Sequence, residues 1–381
     1  MTENRKTPKL RFKGFTDAWE QRKLGDVFKY EQPQTYIVEN TEYDDKNKIP
    51  VLTAGQSFIL GYTDEHFGIK EANQRNPVII FDDFTTSSHY VDFPFKVKSS
   101  AIKLLTLSTT KDNVYCAYNV LKNISYLPVS HERHWISTFT KFDILLPKSV
   151  DEQELIGEYF KLLDKLITLH QRKLDRLKNI KKSMLDKMFP KDGEVVPEIR
   201  FKGFTDAWEQ RKAKELFVST ADKGYPELPV LSATQDRGMI RRDENSINIF
   251  HDKENEAGYK RVLPGQFVIH LRSFQGGFAH SKIEGITSPA YTVFGFYELE
   301  NHDSEYWKYV FTSKSFIRRL ETVTYGIRDG RNISYDEFLT LNFVYPPKAE
   351  QMAIARYLDK LSNLIALHQR KSQYYIRRIR K

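Results

Sequence analysis

The chain has 381 residues, 40% of them hydrophobic, with 26 Phe and 21 Tyr, enough to bury the cores of two or three domains. A mean hydropathy of −0.56 without a long apolar run excludes a membrane span, and the formal charge of +9 favours a polyanionic partner such as nucleic acid. The single cysteine, Cys116, excludes an internal disulfide and a Cys-x-x-Cys motif and reads as a small core residue.

The opening MTENRKTPKLRFKGF has neither the apolar stretch nor the small-residue cleavage site of a secretory signal, so a cytoplasmic location is expected. Arg11–Lys23 reads RFKGFTDAWEQRK, and Arg200–Lys212 repeats all thirteen residues. Identity of that length marks an internal duplication, which fixes the architecture before any secondary structure is considered. Further echoes follow in order. IPVLTAGQ from Ile49 corresponds to LPVLSATQ from Leu228, and SSA at Ser99 to SPA at Ser288, each before an alternating apolar run. Near the end of each copy, RHWISTFTKFDILLP from Arg133 corresponds to RNISYDEFLTLNFVYPP from Arg331. Short Val, Ile, Phe and Tyr runs broken by Gly, Pro, Asn and Asp predict several strands and a few helices in each body, a mixed α/β (α+β) fold in tandem.

Each body is followed by a stretch of another kind. From Asp151 to about Phe189, and from Glu350 to Lys381, the only Gly or Pro is Gly157, and Leu, Ile and charged residues dominate, which predicts two long helices. Every 3.5 residues the first shows Phe160, Leu163, Ile167, His170, Leu174, Leu177, Lys181, Met184 and Met188; the second shows Leu358, Leu361, Ile365, His368, Ser372, Tyr375 and Ile379. These rows read as coiled-coil seams that meet, antiparallel, with a histidine at the matching position of each. LITLHQRK at Leu166 and LIALHQRK at Leu364 repeat the same motif. Two isolated imidazoles suit a polar layer that sets register better than a metal site. A helix of about 38 residues spans about 57 Å, so the pair is expected to hold the bodies apart with approximate two-fold symmetry. The domain division expected is 1–148, a helical spacer 149–190, 191–347 and a helical spacer 348–381. The basic face Arg172, Lys173, Arg176, Lys178, Lys181 and Lys182 suits DNA, a partner or plain solvation.

WEQRKLGD from Trp19, Ser87–Phe95, the LLPK entry to the first helix with its following EQ, YF and LD, and the LHQRK repeats together resemble the specificity subunit of type I restriction-modification systems. The resemblance runs the length of the chain, and the second copy departs from it at WEQRKAKELF. It implies one target-recognition domain per body, binding to double-stranded DNA, and assembly with two modification and two restriction subunits. S-adenosylmethionine, ATP and Mg would then sit on those partners and none on this chain. The helix seam (Phe160, Leu163, Ile167, His170, Leu174, Leu177, Leu358, Leu361, Ile365 and His368) would form the helix and partner interface.

Base reading in the major groove needs donors and acceptors on loops, with Arg suited to guanine and Asn or Gln to adenine. In the second body the candidates are Arg272 and Gln275, beside Gly276 and Gly277, and Arg328 and Arg331, around an Asp-Gly turn. In the first body they are Thr86, Ser87, His89, His131 and Arg133. Plain turn or core roles fit these positions nearly as well. Dissimilar bodies predict a bipartite target with unlike halves, in contrast to the palindrome of a homodimer.

Catalytic motifs are missing from the sequence. The nearest approach to an Asn/Asp-Pro-Pro-aromatic methyltransferase motif, Tyr345-Pro346-Pro347-Lys348, lacks amide and aromatic, and no GxxxxGK[ST] run is present. Asp82-Asp83 is the one acidic pair that invites a nuclease reading. A non-catalytic DNA-recognition subunit is therefore expected, against a stand-alone tandem DNA-binding regulator and a coiled-coil scaffold.

Overall fold

The computed structural model describes residues 7–55, 57–128, 132–191, 193–234, 236–244, 253–270, 277–322 and 334–379. They fall into two compact units, 1–169 with 372–381, and 170–371, so the unit boundary lies within both long helices.

The first unit is built on a four-stranded antiparallel sheet in the spatial order Phe28–Glu31, Ile102–Leu107, Val78–Asp82, Ser88–Val91. Val78–Asp82 is apolar on both faces because both are covered. Ile79 and Phe81 enter one cluster with Trp135, Phe139 and Tyr115, while Val78 and Ile80 enter another with Leu52, Phe95 and Val97. Helix Val114–Lys122 closes the first face, and the small sheet Ile59–Thr63, Ile49–Leu52, Lys96–Val97 closes the second. Cys116 is buried in this core, where desolvation pushes its thiol up to about 12, out of reach of ionisation at neutral pH.

The second unit repeats the plan. Its four-stranded antiparallel sheet runs Phe217–Thr220, Thr292–Phe296, Phe267–Ile269, Phe278–His280, so the first strand pairs with the last and the last with the central hairpin, as in the first unit. The core is more aromatic: Phe217, Phe267, Phe294, Trp307, Phe311 and Phe338 share one cluster. The identical WEQRK segments make identical use of their backbone. Glu20–Lys23 pairs with Asp143–Leu146 and Glu209–Lys212 with Asn342–Tyr345, antiparallel and in equivalent register. Duplication of sequence is thus duplication of topology.

The long helices are Val150–Lys187 and Lys348–Ile379. Each is fastened to its own body at its first turn by an adjacent Glu and Gln that are both buried. Arg11 donates from Nε and Nη2 to the Glu152 carboxylate at 2.6 and 2.8 Å, and Arg200 does the same to Glu350 at 2.9 and 2.7 Å. Planar two-point pairing of this kind fixes orientation as well as contact. Gln153 donates to the Pro147 carbonyl at 2.8 Å and accepts from the Asn113 N–H at 2.8 Å; Gln351 donates to the Pro346 carbonyl at 2.8 Å and accepts from the Asp303 N–H at 2.9 Å. Asn113 and Asp303 in turn cap the body helices Val114–Lys122 and Ser304–Phe311. The same chain of bonds runs from arm to long helix to cap in both units.

Candidate nucleic-acid interface

In the first unit the hairpin between Val78–Asp82 and Ser88–Val91 presents the segment Phe84–Ser87. Asp82 shapes it locally: its Oδ1 accepts the N–H groups of Phe84 and Thr85, both at 2.8 Å, and its carbonyl accepts that of Thr86 at 3.0 Å. Thr86 sits at the apex in the left-handed region, φ +59°, the only described non-glycine residue with positive φ. Ser87 and His89 do other work. The Ser87 hydroxyl donates to the Ala54 carbonyl at 2.6 Å, and His89 Nε2 lies 3.2 Å from the same oxygen while its ring stacks on Phe58 at 4.4 Å. Burial lowers the His89 pKa, so the ring is neutral and suited to donate to that carbonyl. These two side chains anchor Ala54 and its neighbours to the hairpin, leaving Thr85 and Thr86 at the tip.

Arg133 is exposed, immediately before the helical turn His134–Ser137. The hairpin and this turn meet at Asp83, whose carbonyl accepts the His134 N–H and whose Oδ1 accepts the Trp135 N–H, both at 2.9 Å. Thr86, Ser87, His89 and Arg133 therefore belong to one surface region of the first unit, while His131 lies outside the described residues. Asp83 is also where the nuclease reading fails. The carboxylate is wholly buried, 3.1 Å from the equally buried Lys103 ammonium, and among the described residues no group of three or more metal-ligating side chains gathers.

In the second unit Arg272, Gln275, Arg328 and Arg331 all lie outside the described residues. The flanking structure is defined: the His270 N–H donates to the Gly277 carbonyl at 3.0 Å, closing the hairpin that holds the same place in the sheet as Asp82–Ser88. Residues 323–333 join helix Lys314–Thr322 to helix Tyr335–Leu339, as 123–133 join Val114–Lys122 to His134–Ser137.

The row of seam residues is divided by the structure. Phe160 packs on the first unit's core, and Leu358, Met184 and Met188 belong to that of the second. Leu163, Leu358, Leu361 and His368 are buried; Ile167, His170, Leu174, Leu177 and Ile365 are half-buried. His170 and His368 meet between the two helices with their Nδ1 atoms 2.8 Å apart, one imidazole donating and the other accepting. Further along the same unit Lys181 lies 5.5 Å above the Tyr309 ring, its pKa lowered by burial, and it also feels Asp359, so the helices run antiparallel there. Arg172, Lys173, Arg176, Lys178 and Lys182 are exposed.

Two features escaped sequence reasoning. The buried Glu152-Gln153 and Glu350-Gln351 pairs look like ordinary first-turn polar residues, although their repetition behind the repeated RFKGF arms was a usable signal. The second is a row of exposed leucines on the first long helix: Leu155, Leu162 and Leu169 are 41%, 55% and 57% exposed and seven residues apart, a stripe off the seam.

Residues 16–179 match the family model of the type I restriction modification DNA specificity domain. A 153-residue stretch, 38% of this chain, is 43% identical to the specificity subunit of the type I restriction enzymes EcoR124I and EcoR124II of Escherichia coli and spans 37% of that relative's length. The S subunit of a type I restriction-modification system from M. genitalium has the same fold, with a TM-score of 0.67 over 98% of this chain and 96% of that one at 12% identity.

Proposed function

We infer, from the premise that residues 16–179 belong to the type I restriction modification DNA specificity domain family, that the chain is the DNA-recognition subunit of a type I restriction-modification complex. It reads a bipartite, asymmetric double-stranded target, one half-site per unit, and brings two modification subunits and two restriction subunits to it. The division into reading bodies 1–148 and 191–347, with helical spacers 149–190 and 348–381, belongs to this reading, as does a cytoplasmic location. Among the described residues no helix is long and apolar enough to cross a membrane.

The observation that carries the proposal is the repeated frame with unrepeated loops. Sheet connectivity and the register of the WEQRK strands are the same in both units, whereas Asp82–Ser88 (DDFTTSS) and His270–Gly277 (HLRSFQGG) share almost nothing. A common scaffold with divergent loops is how one architecture serves two sequences. Thr86, Ser87, His89, His131 and Arg133 are assigned to the first half-site, and Arg272, Gln275, Arg328 and Arg331 to the second. Leu163, Ile167, His170, Leu174 and Leu177 with Leu361, Ile365 and His368 are assigned to the seam that joins the helices, Phe160 and Leu358 being taken up by their own bodies, and the exposed Leu155, Leu162 and Leu169 are offered to a modification subunit. Chemistry is left to the partners, which would carry S-adenosylmethionine, ATP and Mg.

Selection of duplexes from a randomised library by the complex of this chain with its modification subunit tests the reading. Two dissimilar constant blocks at a fixed separation are expected, with affinity falling steeply as salt rises. A single block, a palindrome or no enrichment contradicts it.

A further inference from the structure

Asp83 ties together the two segments of the first unit that the reading above assigns to DNA. Its backbone N–H donates to the Ala101 carbonyl on the neighbouring strand connection, and its carbonyl and Oδ1 take the N–H groups of His134 and Trp135, each at 2.9 Å. The other carboxylate oxygen faces Lys103 Nζ at 3.1 Å, and Lys103 donates to Gln32 at 2.9 Å. Neither charged side chain has any exposure. A buried ion pair is a poor source of stability, because desolvation takes back most of the attraction, and fixing one geometry among several is the best-attested reason to have one. Here the geometry fixed is that of the hairpin apex, Thr85 and Thr86, relative to the turn that carries Arg133.

We propose that Asp83 is a positioning residue for recognition of the first half-site, locking the hairpin 82–88 and the turn 132–137 into a single reading surface through the Trp135 amide while Lys103 holds its carboxylate in place. The proposal rests on the DNA-recognition reading above. That reading fails separately, if the library selection yields no two-part motif at all.

Two charge-neutral double variants isolate the tie from the ion pair. Asp83→Asn with Lys103→Met keeps an oxygen for the Trp135 N–H; Asp83→Ala with Lys103→Met does not. Each is assembled with the modification subunit and titrated with the selected duplex and with duplexes altered in one half at a time. The Asn variant is expected to discriminate against a changed first half-site within about threefold of the parent. The Ala variant is expected to lose at least tenfold of that discrimination while still rejecting a changed second half-site as the parent does. Equal discrimination by the two variants, or loss at both half-sites together, overturns the proposal. Should the Ala variant fail to fold, hydrogen exchange on the unaltered complex decides. Peptides covering 82–89 and 132–137 are expected to gain protection together on the selected duplex and to keep that gain when only the second half-site is changed; gain in one without the other overturns the proposal.

Discussion

Thr86 holds a backbone angle, φ +59°, that β-branched residues avoid. Such strain costs about 1–3 kcal/mol, whereas glycine at this position would relieve it at an entropic cost of about 0.5–1 kcal/mol. Thr86→Gly is therefore expected to melt no lower than the parent and to bind the selected duplex more weakly, measured by thermal unfolding and anisotropy titration; a lower melting temperature with unchanged binding would make Thr86 structural. His280 and His302 raise a pH question in the second unit. Burial holds both pKa values down to about 4, against an ordinary value near 6.5, so the folded unit keeps them neutral while the unfolded chain takes up protons below 6.5. Their contribution is complete above pH 6.5 and is lost as pH falls toward 4. Melting temperature should drop through that window, and His280→Gln, which retains a hydrogen-bonding group toward Ser304 (3.0 Å from His280 Nε2), should shallow the drop; an unchanged profile contradicts the assignment.

At the scale of elements, the first long helix is interrupted chemically but not structurally by Gly157. A Cβ there would stand 2.3 Å from Asn113 Oδ1, the atom that caps helix Val114–Lys122 by accepting from Tyr115 and Cys116. Alanine would gain about 1 kcal/mol of helix propensity, against a cap worth about 1 kcal/mol and overpacking of about 1–3 kcal/mol. Gly157→Ala should thus destabilise the first unit by about 1–3 kcal/mol in denaturant unfolding; a stabilised variant would show that the cap yields. The second helix has Ala355 at the corresponding place, where the cap is Asp303 and accepts only from Tyr306. On the exposed stripe, Leu162→Lys should leave unfolding within about 0.5 kcal/mol of the parent, since this side chain is 55% exposed. It should reduce copurification of the modification subunit, and full retention would remove the stripe from the partner surface.

These elements also show what was legible in advance. Helix extents followed from the lack of Gly and Pro, because helix breakers act locally. The 3.5-residue count found Leu163, Leu361 and His368 inside, but it did not reveal that Phe160 and Leu358 turn to their own bodies, since periodicity gives a face and not its neighbour. The loops were harder. Ser87 and His89, assigned to base reading from their residue types, also hold the Ala54 carbonyl; Asp83, which drew notice only as one of an acidic pair, is an internal tie. Polar residue types in a turn fit both roles, and only the partner across 30 or 50 residues of sequence separates them.

For the whole molecule, the thirteen-residue repeat anticipated the tandem plan, and the structure gives it a physical basis in two sheets of one connectivity and two Arg-Glu-Gln fastenings of one design. The fastenings should be equivalent in effect as well as form. Arg11→Ala and Arg200→Ala each leave a buried glutamate without its guanidinium, so each should lower the melting temperature of its own unit by several degrees. The central claim is that the two units read two different sequences for a methylating partner. Methylation sequencing of a methylation-deficient host expressing this chain with its modification subunit, beside the same host with the modification subunit alone, tests it most directly. The account predicts a new N6-methyladenine motif, present only with this chain, made of two unlike halves at a fixed separation. A palindromic or single-block motif, or no new motif while the partner is bound and active, would contradict it.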